Sequence, residues 1–111
     1  MKKKFMPAIN GLRIALQNRG IMIQMILGII VIVFGLIFQF HYEEWLVVFL
    51  AIGLVVGLEI MNTCIEKVCD LYTTEDNSAV KKIKDLAAGG VLFGAIIAFI
   101  LFVFILVHRV I

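Results

Sequence analysis

Apolar positions along this chain gather into three long runs, and polar positions are confined to the segments between them. Ile21 to Phe40 is twenty residues without a charge, broken only by Gln24 and Gln39. At about 1.5 Å rise per residue such a helix covers roughly 30 Å, the thickness of a hydrocarbon core. Leu86 to Val107 is a second uncharged run of twenty-two residues. Between them, Trp45 to Leu58 is apolar for fourteen, too short to cross alone, but continuing through Glu59 and Asn62 to Ile65 gives twenty-one. The pattern therefore predicts an all-α membrane protein with spans over about 21–40, 45–65 and 86–107. Ahead of them, Pro7 to Arg19 is expected to form a short surface helix. Ile9, Leu12 and Leu16 share one face there, with Arg13 and the lysines available to headgroups.

Composition agrees. The 111 residues set one domain. They are 63% hydrophobic and 16% charged, with a mean hydropathy of +1.11, too little polar surface to cover a water-soluble domain. A net charge of +2 is too weak to hold nucleic acid, and Cys64 and Cys69 form no CxxC, so they read as free thiols. Lys2, Lys3 and Lys4 look like the start of a signal peptide. The following apolar run is of full span length and no small-residue cleavage pattern follows it, so no cleavage is expected.

Basic residues set the expected orientation. Lys2, Lys3, Lys4, Arg13 and Arg19 precede the first span with no acid among them, and Lys67, Lys81, Lys82 and Lys84 lie between spans two and three. The turn His41 to Glu44 has no lysine or arginine, and Arg109 alone is in the tail. The N-terminus and the second loop are thus expected in the cytoplasm, with Tyr42 and Trp45 at the opposite interface. Gly90, Gly94 and Ala98 in the third span, and Gly53 and Gly57 in the second, mark places where helices can approach closely.

The chemistry is concentrated at one end of span two. On a helix Glu59, Asn62 and Glu66 are spaced three and four apart, and Asp70 follows by four, so all four share a face. Carboxylates at membrane depth are expensive and mark functional sites. The stripe offers one carboxylate deep enough to meet a lipid headgroup and another for a hard cation, since Mg²⁺ is usually held by one or two carboxylates plus substrate phosphates. His41 and His108 fall away from this stripe and the cysteines have no histidine at metal spacing.

The segment Glu59-Ile-Met-Asn62-Thr-Cys-Ile-Glu66-Lys-Val-Cys-Asp70 resembles the E-x-x-N-[ST]-x-I-E-x-x-x-D signature of the small prokaryotic diacylglycerol kinase family, which includes undecaprenol kinases. Fourteen residues after Asp70, Lys84-Asp85 and the following Leu86-Ala87-Ala88-Gly89-Gly90-Val91-Leu92 are similar to the opening of the family's last helix, and Gly11-Leu12-Arg13 resembles its surface-helix motif. The resemblance implies an inner-membrane homotrimer, with sites shared between neighbours, that phosphorylates a lipid alcohol from ATP with Mg²⁺. By position it implies Glu59 as general base, Asn62 and Asp70 in support, Glu66 as metal ligand with ATP, and Lys84 and Asp85 at the nucleotide. Glu75-Asp76-Asn77 matches another nucleotide segment by count rather than by residue type. No P-loop or kinase Gly-rich loop is present, so the phosphates fall to Mg²⁺, Lys84 and loop groups.

One departure stands out. The family carries a metal-binding glutamate just before the first span, where this chain reads Asn18-Arg19-Gly20. An ungapped match puts Arg19 at that place, and a one-residue deletion puts Asn18 there. A weakened or inactive family member is thus the first alternative. A small transporter or pore is the second, although similar-length transporters usually have four spans with the carboxylate in the first.

Overall fold

Residues 2–111 are described by a computed structural model, in which all the regular secondary structure is helical. Four helices follow one another: α1 (Lys2–Ala15), α2 (Arg19–Ile37), α3 (Tyr42–Tyr72) and α4 (Ser78–Val110). The last three are long and apolar enough to cross a membrane. At about 1.5 Å per residue, the 31 residues of α3 and the 33 of α4 reach roughly 46–50 Å, well past a 30 Å hydrocarbon core. The surplus turns of both helices lie at one end, and they carry Glu66, Asp70 and Lys84.

Each boundary has a local cause. The surface helix runs over 2–15 rather than 7–19, with Pro7 inside it. It stops because Gln17 and Asn18 bond back to Ile14 and Ala15 in a tight three-residue turn, both at 3.0 Å. Asn18 then starts the next helix: its Oδ1 accepts from the Ile21 N–H at 3.0 Å. Most of α1 faces outward, including Ile9 and Leu12, and Leu16 just beyond its end is exposed too. At the far end of α2, Gln39 adopts φ 55° and the Phe40 N–H donates to the Gly35 carbonyl at 2.9 Å, closing a Schellman turn. Asn77 caps α4 by accepting from Ala79 and Val80 N–H groups at 3.0 and 3.1 Å.

The helix α3 is central, with α4 packed along it and α2 along another side. The buried positions repeat every seven residues, Ile21, Gly28 and Gly35 on α2 and Val48, Val55, Asn62 and Cys69 on α3. This is the seam of left-handed helix packing. Small residues allow the approach: a Cβ at Gly28 would stand 3.1 Å from Ile52, one at Gly35 2.7 Å from the Trp45 ring, and one at Gly94 2.6 Å from Leu58. Gly53, Gly57 and Gly90, by contrast, face open space.

The apolar core sits at the end away from the surplus turns. Phe40, Val48 and Ile105 are buried there, and Phe34 stacks edge-on with Phe102 at 5.6 Å and Phe40 at 6.0 Å. Trp45 belongs to this cluster, while Tyr42 stays exposed. The outer faces of the long helices remain bare, Phe93, Phe99 and Phe104 among them, as lipid or further protein requires.

Candidate functional site

Counting from Tyr42, Glu59 stands about 26 Å along α3, close to where a hydrocarbon core would end. Glu66 is roughly 10 Å further out and Asp70 another 6 Å. The helix thus passes from apolar depth to water within three turns, and each turn carries one member of the stripe.

The four side chains find different partners. Asn62 is buried on the seven-residue seam, and its Nδ2 donates to Glu66 Oε1 at 3.0 Å. Its Oδ1 is buried and has no hydrogen-bond partner among the described residues, a costly arrangement that a donor from a bound group would relieve. Asp70 is bridged to α4, where Lys84 Nζ donates to its Oδ1 at 2.7 Å. That hydrogen bond holds the Lys84 ammonium above the usual lysine range, outside the apolar run, so it stays charged through neutral pH. Thr63, buried beside Asn62, donates its hydroxyl to the Glu59 carbonyl at 2.9 Å. The Glu59 carboxylate reaches across to the first turn of α2, where it lies against Gly20.

Other candidates sit apart. Asp85 turns outward and pairs with Lys81 at 2.7 Å, both well exposed. Glu75 and Asp76 are exposed in the loop between α3 and α4, where the Glu75 N–H donates to Thr73 Oγ1 at 3.1 Å. The side-chain oxygen of Asn77 is already engaged in capping α4. Arg19 is exposed, and among the described residues it makes no ion pair.

No three His, Cys, Asp or Glu side chains among the described residues come together to hold a metal ion. A cation delivered with a triphosphate needs less, one or two carboxylates with phosphate oxygens and water completing the shell. Glu66, exposed and adjacent to the Asn62 amide, meets that smaller requirement.

Residues 7–106 match the family model described as prokaryotic diacylglycerol kinase. The chain belongs to that family. The match includes α1 from Pro7 onward and nearly all of the three long helices, so the stripe on α3 and Lys84 on α4 lie inside the family region. A curated relative, undecaprenol kinase of Bacillus subtilis (strain 168), is 38% identical over 71 residues, which are 64% of this chain. The chain thus matches 58% of that relative's length. As a family member with three membrane-crossing helices, it is an integral membrane protein.

The apposition of Glu59 to α2 escapes the sequence pattern, because nothing in a run of apolar residues says which turn will meet a carboxylate. The signal available was Asn18, a good N-cap placed directly before the apolar run. It fixes where α2 begins and therefore which residues form its first turn.

Proposed function

We propose that this chain is an ATP-dependent lipid kinase that transfers the γ-phosphoryl group to the hydroxyl of a membrane lipid alcohol. Diacylglycerol would give phosphatidic acid, and undecaprenol would give undecaprenyl phosphate. The observation that carries this reading is the gathering, at one end of the bundle, of the single intramembrane carboxylate Glu59 with the Asn62–Glu66 pair and the Asp70–Lys84 bridge. A lipid alcohol keeps its hydroxyl at the edge of the hydrocarbon while ATP stays in water, so a stripe crossing that edge suits both substrates.

In this reading Glu59 removes the proton from the lipid hydroxyl as its oxygen bonds to the γ-phosphorus. The bond to the β–γ bridging oxygen breaks, ADP leaves, and the proton rests on Glu59. Asn62 holds Glu66 in place and keeps a free acceptor at the site. Glu66 supplies the carboxylate for Mg²⁺, which when bound neutralises charge on the phosphates. Lys84 meets the phosphates, with Asp70 orienting it, while Asp85 and the loop 75–77 border the nucleotide. An apolar groove of about 280 Å³ runs from Gln24 past Val55 and Ala51 to Phe102, and gives the lipid tail a path whose lining residues Gln24 and Val55 lie about one helix turn from Gly20 and Glu59.

The distribution of basic residues supports a cytoplasmic site in the inner membrane, with the N-terminus and the α3–α4 loop inside. The bare faces of α3 and α4 and the partly covered stripe support a homotrimer, as the family resemblance implies. A weakened enzyme is the second reading, and the presence of Asn18 and Arg19 where the family has a metal-binding glutamate favours it.

Radiolabelled ATP with purified protein, diacylglycerol or undecaprenol, and with or without Mg²⁺ tests the proposal. Label is expected in one of the two lipids. Glu59→Gln keeps the shape without the basicity and should lower the rate about 10²–10⁴-fold with assembly intact. No transfer to either lipid by the parent protein would overturn the kinase reading.

A further inference from the structure

The proposed base belongs to α3, but α2 determines where its carboxylate can rest. A Cβ placed on Gly20 would stand 2.8 Å from Glu59 Oε1, 3.6 Å from its Cδ and 3.3 Å from Asn18 Oδ1. Real Cβ atoms essentially never come within 3.0 Å of another group. The carboxylate therefore fills the volume that any other residue at position 20 would need.

Nothing else in the structure asks for glycine there. Gly20 lies within regular helix, and among the described residues no glycine has positive φ. Glycine is also a poor helix former, about 1 kcal/mol worse than alanine. At Gly35 and Gly94 the conflicting neighbours are the Trp45 ring and a Leu58 methyl in packed helix contacts, so substitution there disturbs packing. At Gly20 the neighbour is the end of a flexible side chain, which can swing away. A methyl group there costs the fold little and moves the carboxylate.

The direction of approach has a physical reason. Asn18 takes the Ile21 N–H, and the N–H groups of Arg19 and Gly20 in the same first turn have no intrahelical partner. The positive end of the α2 dipole thus faces the carboxylate that the missing side chain admits.

We propose that Gly20 is a positioning residue for Glu59, its absent side chain forming a notch in the first turn of α2 that seats the carboxylate at a fixed place for the acceptor hydroxyl. This rests on Glu59 acting as the base, and deepens that reading by assigning its placement to a second helix.

Gly20→Ala in the full-length protein tests it by two routes. In steady-state kinetics kcat should fall about tenfold to a hundredfold, the scale of a displacement of up to 1 Å, with KM for ATP unchanged and the thermal midpoint no lower than the parent's. Independently of turnover, modification of Glu59 by dicyclohexylcarbodiimide, followed by mass spectrometry, should be faster in Gly20→Ala because the carboxyl has left its notch. Parent-like kcat and labelling in a folded variant would overturn the positioning role. A fall in thermal midpoint with unchanged labelling would also overturn it, by reducing Gly20 to a packing residue. If the parent transfers no phosphate, the kinase reading fails, and the labelling result still decides whether Gly20 seats Glu59.

Discussion

Arg109 and Glu44, 65 residues apart in the chain, meet at 2.6 Å at the end of the bundle opposite the site. The same guanidinium donates to the Phe38 carbonyl at 2.5 Å and lies 5.2 Å from the centre of the Phe40 ring. Glu44 in turn accepts from the His41 N–H at 2.7 Å. One cation thus ties the end of α4 to the turn between α2 and α3, with both charged side chains mostly buried, at 24% and 14% exposure. Arg109→Ala leaves the mostly buried Glu44 carboxylate without its counter-charge, with only the His41 N–H as donor, and should cost about 2–3 kcal/mol, read as a lower thermal midpoint in mild detergent. Because the clamp is remote from Glu59, turnover of the protein that remains folded should be unchanged. A parent-like midpoint would show that the clamp contributes nothing.

This contact also marks the limit of what the linear pattern reveals. The charge-free runs and the Glu59, Asn62, Glu66, Asp70 spacing follow from local periodicity, and the Asn62–Glu66 hydrogen bond is a direct consequence of four-residue stacking on a helix. Partners on different helices depend on how the helices are rotated about their axes. Arg109 reads as a lone tail cation until α4 is laid against the α2–α3 turn, and Gly20 reads as a spacer until α2 meets Glu59. The rotation was in fact encoded, because Val48, Val55, Asn62 and Cys69 recur every seven residues, as do Ile21, Gly28 and Gly35. In helices apolar all round, that seam is hidden among equally apolar neighbours. Only the small residues and Asn62 distinguish it.

The turn at Gln39 offers a stabilising substitution. Its φ of 55° is a left-handed conformation at the position where a Schellman motif favours glycine. Gln39→Gly should remove about 1 kcal/mol of backbone strain and raise the thermal midpoint, whereas Gln39→Val should lower it. A lower midpoint for the glycine variant would mean that the glutamine side chain compensates for the strain.

The Asp70–Lys84 bridge separates structural from nucleotide roles. Its side chains are 55% and 37% exposed, so water screens the pair and it should contribute little to stability. If Lys84 meets the phosphates, Lys84→Ala should raise KM for ATP about tenfold or more, the scale of a lost charged hydrogen bond, with little change in midpoint. Asp70→Asn should raise KM less, since the ammonium survives but loses its orientation. Unchanged KM in both variants, with a large fall in stability, would make the bridge a strut between α3 and α4.

The start of α2 carries Asn18 and Arg19 where the family resemblance implies a metal-binding glutamate. Asn18 has its oxygen committed to the Ile21 N–H, and Arg19 is exposed without an ion pair among the described residues, so neither supplies an acidic ligand. In the proposed site that leaves Glu66 as the carboxylate for Mg²⁺, and on that reading the half-saturating Mg²⁺ concentration should be high, because affinity falls with ligand charge. Restoring a carboxylate by Asn18→Glu or Arg19→Glu should lower that concentration in one of the two variants. The substitutions differ in structural cost. Asn18→Glu disturbs the cap that begins α2, worth about 1 kcal/mol, whereas an acid at position 19 suits the positive end of the helix. A gain in Mg²⁺ affinity despite a lower thermal midpoint would therefore identify position 18, and a gain with no loss of stability position 19. If neither variant shifts the Mg²⁺ dependence of an active parent, the start of α2 plays no part in holding the ion, and Glu66 with the phosphates is sufficient.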